Sequence, residues 1–293
     1  AIDRVRALGG GSTLTYRLDS GGMTLAAFKP KQTRLQSSFR AEIAAYRLCA
    51  LIHCAFEVPH NRELRVDRAT WYELWGAATR AEQRAIDSRN RDLVWTRDVD
   101  GVDWLHGTAK SWVVEFRLFG IERAERWRGL VSRNAPADVD VQRLMGDLLS
   151  GRLSTGVDGI TAPSLARQLS NLHVFDYLLN NWDRYSGAFP GVNCQWSGDR
   201  FVSIDNGAGF PDPRLHGVLN GRVRNNLARV EVFSRRTIDA IRWMDTDRLF
   251  GVLFPPSPAS DIDKRRYQAF LVRRERLLAH VDEIGRASCR ERV

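Results

Sequence analysis

The feature that most constrains the fold is a helix-period apolar stretch that stops abruptly in polar residues. In SLARQLSNLHVFDYLL, from Ser164, the residues Leu165, Leu169, Leu172, Phe175 and Leu179 share one helical face. The next six, NNWDRY (180–185), include two amides, a carboxylate and a guanidinium. A loop, a strand NCQW, a turn SGDR and an alternating strand FVSI ending in DNG follow. The two strands are antiparallel, so Asn193, which starts one, and Asp205, which follows the other, fall at the same end, about 5 Å apart. A one-residue slip in the turn leaves the face of each open. Asp183, one loop upstream, reaches the same end. One amide and two carboxylates there make a hard, oxygen-rich site of the sort that magnesium or manganese accepts alongside phosphate oxygens. Each piece also has an ordinary structural reading. Asn180 and Asn181 suit a left-handed helix C-cap, Asp183 and Arg184 suit a surface ion pair, and Asp-Asn-Gly suits a turn.

The first fifty residues carry the opposite periodicity. LGGGSTLTYRLDSGGMTLAAFK alternates at Leu14, Tyr16 and Leu18, turns at DSGG and resumes at Met23, Leu25 and Ala27, which predicts an antiparallel hairpin. Ser37 and Ser38 are candidate caps for FRAEIAAYRLCALI, where Phe39, Ile43, Tyr46 and Ala50 recur at helical spacing. Further on, TWYELWGAATRAEQRAI predicts one helix, DVDGVD a turn, and SWVVEFRLFG (111–120) a buried strand ending at a glycine. Helical composition follows, so Gly120 is the expected boundary. The reading is a β-rich amino-terminal lobe over 1–120 and a mainly helical carboxy-terminal lobe over 121–282. Residues 283–293, EIGRASCRERV, match the translation of a common sequencing-adaptor oligonucleotide and are set apart from both lobes.

At 293 residues, 43% hydrophobic and with nine Trp, the chain can bury the cores of two lobes and is neither disordered nor fibrous. No apolar run approaches the roughly eighteen residues of a membrane span. Ala1 in place of Met reads as a fragment whose leader could lie upstream. With Cys289 set aside, Cys49, Cys54 and Cys194 form no C-x-x-C and no disulfide framework, which points to a reducing, cytoplasmic setting. The net charge of +9 raises a nucleic-acid reading, but the cations are scattered among acids as on a solvated helix face. Forty of the cations are Arg and four are Lys (29, 31, 110 and 264), a bias that fits a GC-rich bacterial source and singles out each lysine.

The ordered combination carries more than its parts: a glycine-rich hairpin, Lys29 ending a strand, Glu42 in the next helix, a distant Asn-x-Asp-Arg, Asn193, a strand and Asp-Asn-Gly. FKPKQTR (28–34), AEIAAYRL (41–48), VFDYLLNNWDRY (174–185) and SIDNGAGF (203–210), taken in this order across residues 9–210, resemble the atypical protein-kinase-like superfamily. In wording they are nearest to the secretory-pathway kinases of casein and glycan xylose, with HipA-type and phosphatidylinositol 3/4-kinases as more distant relatives. The resemblance implies an α+β bilobal kinase-like fold and an ATP-dependent kinase that needs Mg2+ or Mn2+ and transfers phosphate to a hydroxyl acceptor. It implies that Gly9, Gly10 and Gly11 cover the phosphates, that Lys29 contacts the α- and β-phosphates, and that Glu42 holds Lys29 or helps to place metal. Asp183 would accept or orient the acceptor proton, Asp205 would hold metal, and Asn193 would be the second metal ligand. The strand at 112–119 would lead into the adenine-binding hinge. Tyr185 stands where relatives usually carry His, and the cysteines of the secretory enzymes are not evident. The alternatives are a nucleotide-binding pseudokinase and a basic nucleic-acid-binding protein.

Overall fold

The computed structural model describes residues 1–8, 13–34, 37–135, 139–150, 159–185, 193–254 and 260–290. Two units divide the chain, one made of Ala1–Tyr46 and Pro59–Val114, the other of Arg47–Val58 and Glu115–Val293.

The first unit is built on β1 (Arg4–Ala7), β2 (Tyr16–Ser20), β3 (Met23–Pro30), β4 (Asn61–Asp67), β5 (Trp95–Arg97) and β6 (Asp103–Ser111), with α2 (Arg68–Gly76), α3 (Arg80–Asn90) and the part of α1 (Phe39–Leu51) up to Tyr46. The antiparallel sheet runs β1-β2-β3-β6-β4, and β5 also pairs with β6. The predicted hairpin forms because Gly21 and Gly22, at φ 55° and 80°, supply the left-handed pair that a two-residue turn needs. A register shift between Leu18 and Asp19 then changes which residues of β3 face inward. Leu14, Tyr16 and Leu18 are buried as expected, but Met23 and Leu25 are exposed and Phe28 takes their place in the core. Phe28 joins Val5, Tyr16, Leu105 and Trp71 there, with Trp71 edge-on to Tyr16 at 4.9 Å. Gly107 is required at this spot: a Cβ on it would meet the Lys29 carbonyl oxygen and the Phe28 ring at 2.5 Å.

Two sequence expectations fail in this unit. The single helix through TWYELWGAATRAEQRAI is two helices, because Thr79 and Glu82 close a reciprocal cap that starts α3 afresh. The buried strand at 111–120 is also absent: β6 ends at Ser111, and Val114 and Phe116 are exposed. Strand structure returns only at β7 (Arg117–Phe119), in the second unit.

That unit contains α4 (Ala124–Trp127), α5 (Val141–Leu148), β8 (Leu149–Ser150), α6 (Ala162–Leu179), β9 (Cys194–Ser197), β10 (Arg200–Ser203), α7 (Pro213–His216), α8 (Gly221–Leu227), α9 (Arg235–Trp243), α10 (Thr246–Leu253) and α11 (Asp261–Arg290). Its sheet runs β10-β9-β7-β8. The core helix is α6, capped by Thr161, with all five predicted face residues fully buried. Helix α11 packs on it, and Arg273 donates from Nε to the Leu178 carbonyl at 2.8 Å. The predicted hairpin is β9 and β10, with Cys194 opposite Ser203, so Asn193 and Asp205 do emerge at one end. Cys49 and Cys54, expected to be unpaired, form a disulfide with Cα atoms 5.2 Å apart, closed across the residues that leave α1. Among the described residues no helix is long and apolar enough to cross a membrane.

Candidate functional site

The first unit brings Lys29 and Glu42 together. In β3 the side chains alternate, so Phe28 enters the core and Lys29 points to the opposite face. There the Lys29 Nζ meets Glu42 Oε1 of α1 at 3.0 Å, and both residues are 0% exposed. Lys110 in β6, which pairs with Ala27, lies on the same face as Lys29. Its Nζ reaches the same Glu42 Oε1 at 3.2 Å. Two of the chain's four lysines therefore converge on one buried carboxylate oxygen. Glu42 Oε1 is thus shared by two lysine side chains. The third group of candidates, Gly9, Gly10 and Gly11, lies outside the described residues.

In the second unit α6 ends at Asn180, which adopts φ 56° and ψ 43° and caps the helix. Its side-chain oxygen accepts the Asn220 amide proton at 2.7 Å. Asn181 donates instead to Asn206 Oδ1 at 3.3 Å. These amides are structural: they fasten the loop that follows. The loop closes in a short 3-10 turn, Asp183–Tyr185. Asp183 is partly exposed, and its Oδ2 accepts from Asn193 Nδ2 at 2.9 Å. Asp205 is also partly exposed and carries a left-handed backbone, φ 52° and ψ 55°, just before the 3-10 turn Asn206–Ala208. Within Asp-Asn-Gly it is therefore Asp205, not the glycine, that adopts the left-handed conformation.

Arg184 organises this region. Expected as a surface partner of Asp183, it is buried and pairs with Asp176 of α6, Nε to Oδ2 at 2.7 Å. Its Nη2 donates to Ser203 Oγ at 2.6 Å and to Asn206 Oδ1 at 2.7 Å, and its Nη1 donates to the Asn193 carbonyl. One guanidinium fork thereby ties the helix, both strands of the hairpin at their open end and the turn after Asp205. Burial works against its charge, yet Asp176 holds its pKa above the ordinary value. Tyr185 donates to Asp176 Oδ2 at 2.8 Å, and its oxygen lies 2.8 Å from His173 Nδ1. The residue that departs from the resemblance is thus bonded into the same network. Burial and then the Arg184 and Arg229 charges push His173 down to about 3, so its ring is neutral at physiological pH. The sequence gives no role to Asp176, Ser203 and Asn206, and singles out Lys110 only as a rare lysine. The available signals were an acid inside the apolar run VFDYLL and a rare lysine in a strand.

The donors brought to the hairpin end, carboxylates of Asp183 and Asp205 and the Asn193 amide, suit a hard cation. Among the described residues no cluster of three or more His, Cys, Asp or Glu side chains is placed to hold a metal ion.

No protein-family model matches the sequence, and no curated protein matches it either. Solved structures do match. A Helicobacter pylori proinflammatory kinase aligns at 12% identity with a TM-score of 0.42, over 95% of this chain and 94% of its own. The Golgi casein kinase with Mn and ADP bound aligns at 14% identity with a TM-score of 0.57, over 97% of this chain and 73% of the kinase. A second structure of the Golgi casein kinase gives 13% identity and a TM-score of 0.58, over 97% and 72%. With a β-sheet unit and a mainly helical one, the chain has an α+β, bilobal kinase-like fold similar to that of the Golgi casein kinase.

Proposed function

We propose that this chain is an ATP- and divalent-metal-dependent kinase that transfers the γ-phosphoryl group to a hydroxyl of a protein, a glycan or a small molecule. The observation that carries the reading is the fully buried Lys29–Glu42 pair, on a fold shared with a kinase whose structure holds Mn and ADP. Phosphoryl transfer asks the protein for positioning and charge neutralisation rather than covalent chemistry. Lys29, aimed by Glu42, would donate to the α- and β-phosphates. Asp183, held by the Asn193 amide, would take the acceptor's proton. The acceptor oxygen bonds to the γ-phosphorus as the bond to the β,γ-bridging oxygen breaks, and ADP departs. Asp205 and the Asn193 side-chain oxygen would hold the metal, leaving its other positions to phosphate oxygens and water. The chemistry that bound Mg2+ or Mn2+ supplies there is neutralisation of the β- and γ-phosphates.

The test is thermal unfolding with ATP and Mg2+ or Mn2+, because a ligand that binds only the folded state raises stability with its concentration. The parent should shift upward and Asp205→Asn should shift far less. Asp183→Asn should keep the nucleotide shift and lose phosphate transfer to casein-like, glycan or lysate acceptors. A parent without any nucleotide shift would end the reading. Binding without transfer in every acceptor would leave a pseudokinase, and equal transfer by Asp183→Asn would remove Asp183 as the base.

A further inference from the structure

We propose that the second unit carries an anion site at the carboxy-terminal end of α6, where Arg273, Arg224, Arg276 and the Asn180 amide take a phosphate dianion, free or as the monoester of a small molecule. None of these residues has a part in the proposed phosphoryl transfer, so the proposal stands apart from the kinase reading.

Arg273 of α11 is a buried cation that no carboxylate among the described residues acts on; it is 0% exposed. Its Nε donates to the Leu178 carbonyl at 2.8 Å and its Nη1 to the Val218 carbonyl at 2.9 Å. The remaining nitrogen, Nη2, is buried and has no hydrogen-bond partner among the described residues. Buried donors are ordinarily bonded and buried charges ordinarily paired, so both the open N–H groups and the unbalanced charge call for a partner. Burial pushes this guanidinium down to about 9, which leaves it charged at neutral pH.

Asn180, also 0% exposed, presents a second open donor. Its oxygen takes the Asn220 amide proton at 2.7 Å, which fixes the orientation of the group, and its Nδ2 is buried without a partner among the described residues. Arg273 grips residues 178 and 218 and Asn180 joins residue 220, so the two open donors flank the same pair of segments. Two exposed arginines add to them: Arg224 of α8, and Arg276 one turn beyond Arg273 on α11. Both helices pack against α6. Beside Leu178, the buried Tyr177 feels all three cations: burial raises the pKa of its hydroxyl, and the charges of Arg276, Arg273 and Arg224 oppose that rise. No carboxylate among the described residues enters this balance. Guanidinium forks match the oxygens of a tetrahedral oxyanion with paired, charge-assisted bonds. One phosphate here would satisfy the open donors, offset the cations and bridge α6, α8 and α11.

The test uses inorganic phosphate without divalent metal, set against chloride at equal ionic strength so that general screening cancels. The parent's unfolding temperature should rise and saturate with phosphate, and chloride should not reproduce the rise. Arg224→Gln with Arg276→Gln changes two exposed side chains, so the fold should survive, and phosphate affinity should fall by about tenfold or more. Arg273→Met should abolish the rise; if that variant does not fold, the exposed double variant decides alone. Glycerol 2-phosphate separates the two forms of the ligand: binding as tight as phosphate or tighter assigns a monoester, and weaker binding assigns the free ion. Equal rises in phosphate and chloride would overturn the proposal. So would a full phosphate rise in the exposed double variant, as binding at any other place in the chain would give.

Discussion

Replacing Arg184 by Met tests whether one guanidinium fork holds the second unit's loops in place. The Asp176 and Arg184 side chains are both 0% exposed and meet at 2.7 Å. Removing one member of such a pair leaves an uncompensated buried charge, which costs about 3–5 kcal/mol. The neutral acceptors lose less. Ser203 Oγ and Asn206 Oδ1 lose the Arg184 donor too, but Ser203 still donates to Asn206 Oδ1 and that oxygen keeps Asn181, so the Asn193 carbonyl is the acceptor that loses most. Each surrendered bond costs about 1 kcal/mol. The Asp176 carboxylate retains the Tyr185 hydroxyl and can take up a proton, which trims the penalty. A net loss of about 4 kcal/mol is expected, a large share of the roughly 5–15 kcal/mol that holds a domain together. Urea unfolding followed by tryptophan fluorescence and circular dichroism should show a lower midpoint at unchanged slope. Pairing the change with Asp176→Asn removes the stranded charge and should recover about half of the loss. A loss below about 1 kcal/mol, or no recovery in the double variant, would refute the claim that this buried pair organises the region.

The remaining predictions are independent of one another. His173 is neutral in the folded chain down to about pH 3, whereas the unfolded chain protonates it near pH 6.5. Its contribution is therefore whole above pH 6.5 and declines as pH falls, by about 1.4 kcal/mol per unit. His173→Gln should flatten the pH dependence of the urea midpoint between pH 6.5 and 5, above the ordinary carboxylate range, and an unchanged slope there would contradict the assignment. Gly107→Ala should cost about 1–3 kcal/mol, because its Cβ would lie 2.5 Å from the Lys29 carbonyl and the Phe28 ring. The same denaturation experiment checks it. At the α6 C-cap, φ 56° favours Asn or Gly, so Asn180→Gly should be tolerated better than Asn180→Val by about 1–2 kcal/mol.

How far the sequence reached depends on whether the deciding physics was local. Helix α6 was legible because its apolar face recurs at 3.6 residues over four turns, and the β9–β10 hairpin because its turn and alternation agree. The core of β3 was not, since the register shift opposite Leu18 and Asp19 leaves Leu25 out of the pairing in a way that no period reveals. The break between α2 and α3 is written in the sequence as Thr-x-x-Glu at 79–82, a local signal that competes with the helical period running through it. At the candidate site, Lys29 and Glu42 were named from their order in the chain. Lys110 required the sheet pairing, because nothing in the string of residues brings β6 beside β3. Arg184 was assigned to the wrong acid for a related reason. Adjacent residues look like partners in a string, while Asp176 reaches it only across the end of a helix.

The left-handed backbone at position 205 restricts the substitutions that can be read cleanly there. Few residues accept that conformation at low cost beyond glycine, asparagine and aspartate, and of these only aspartate is anionic. The peptide geometry thus selects the amino acid before any ligand arrives, and it disfavours glutamate despite an equal charge. An alanine variant would mix a missing carboxylate with a twisted main chain, whereas asparagine isolates the charge.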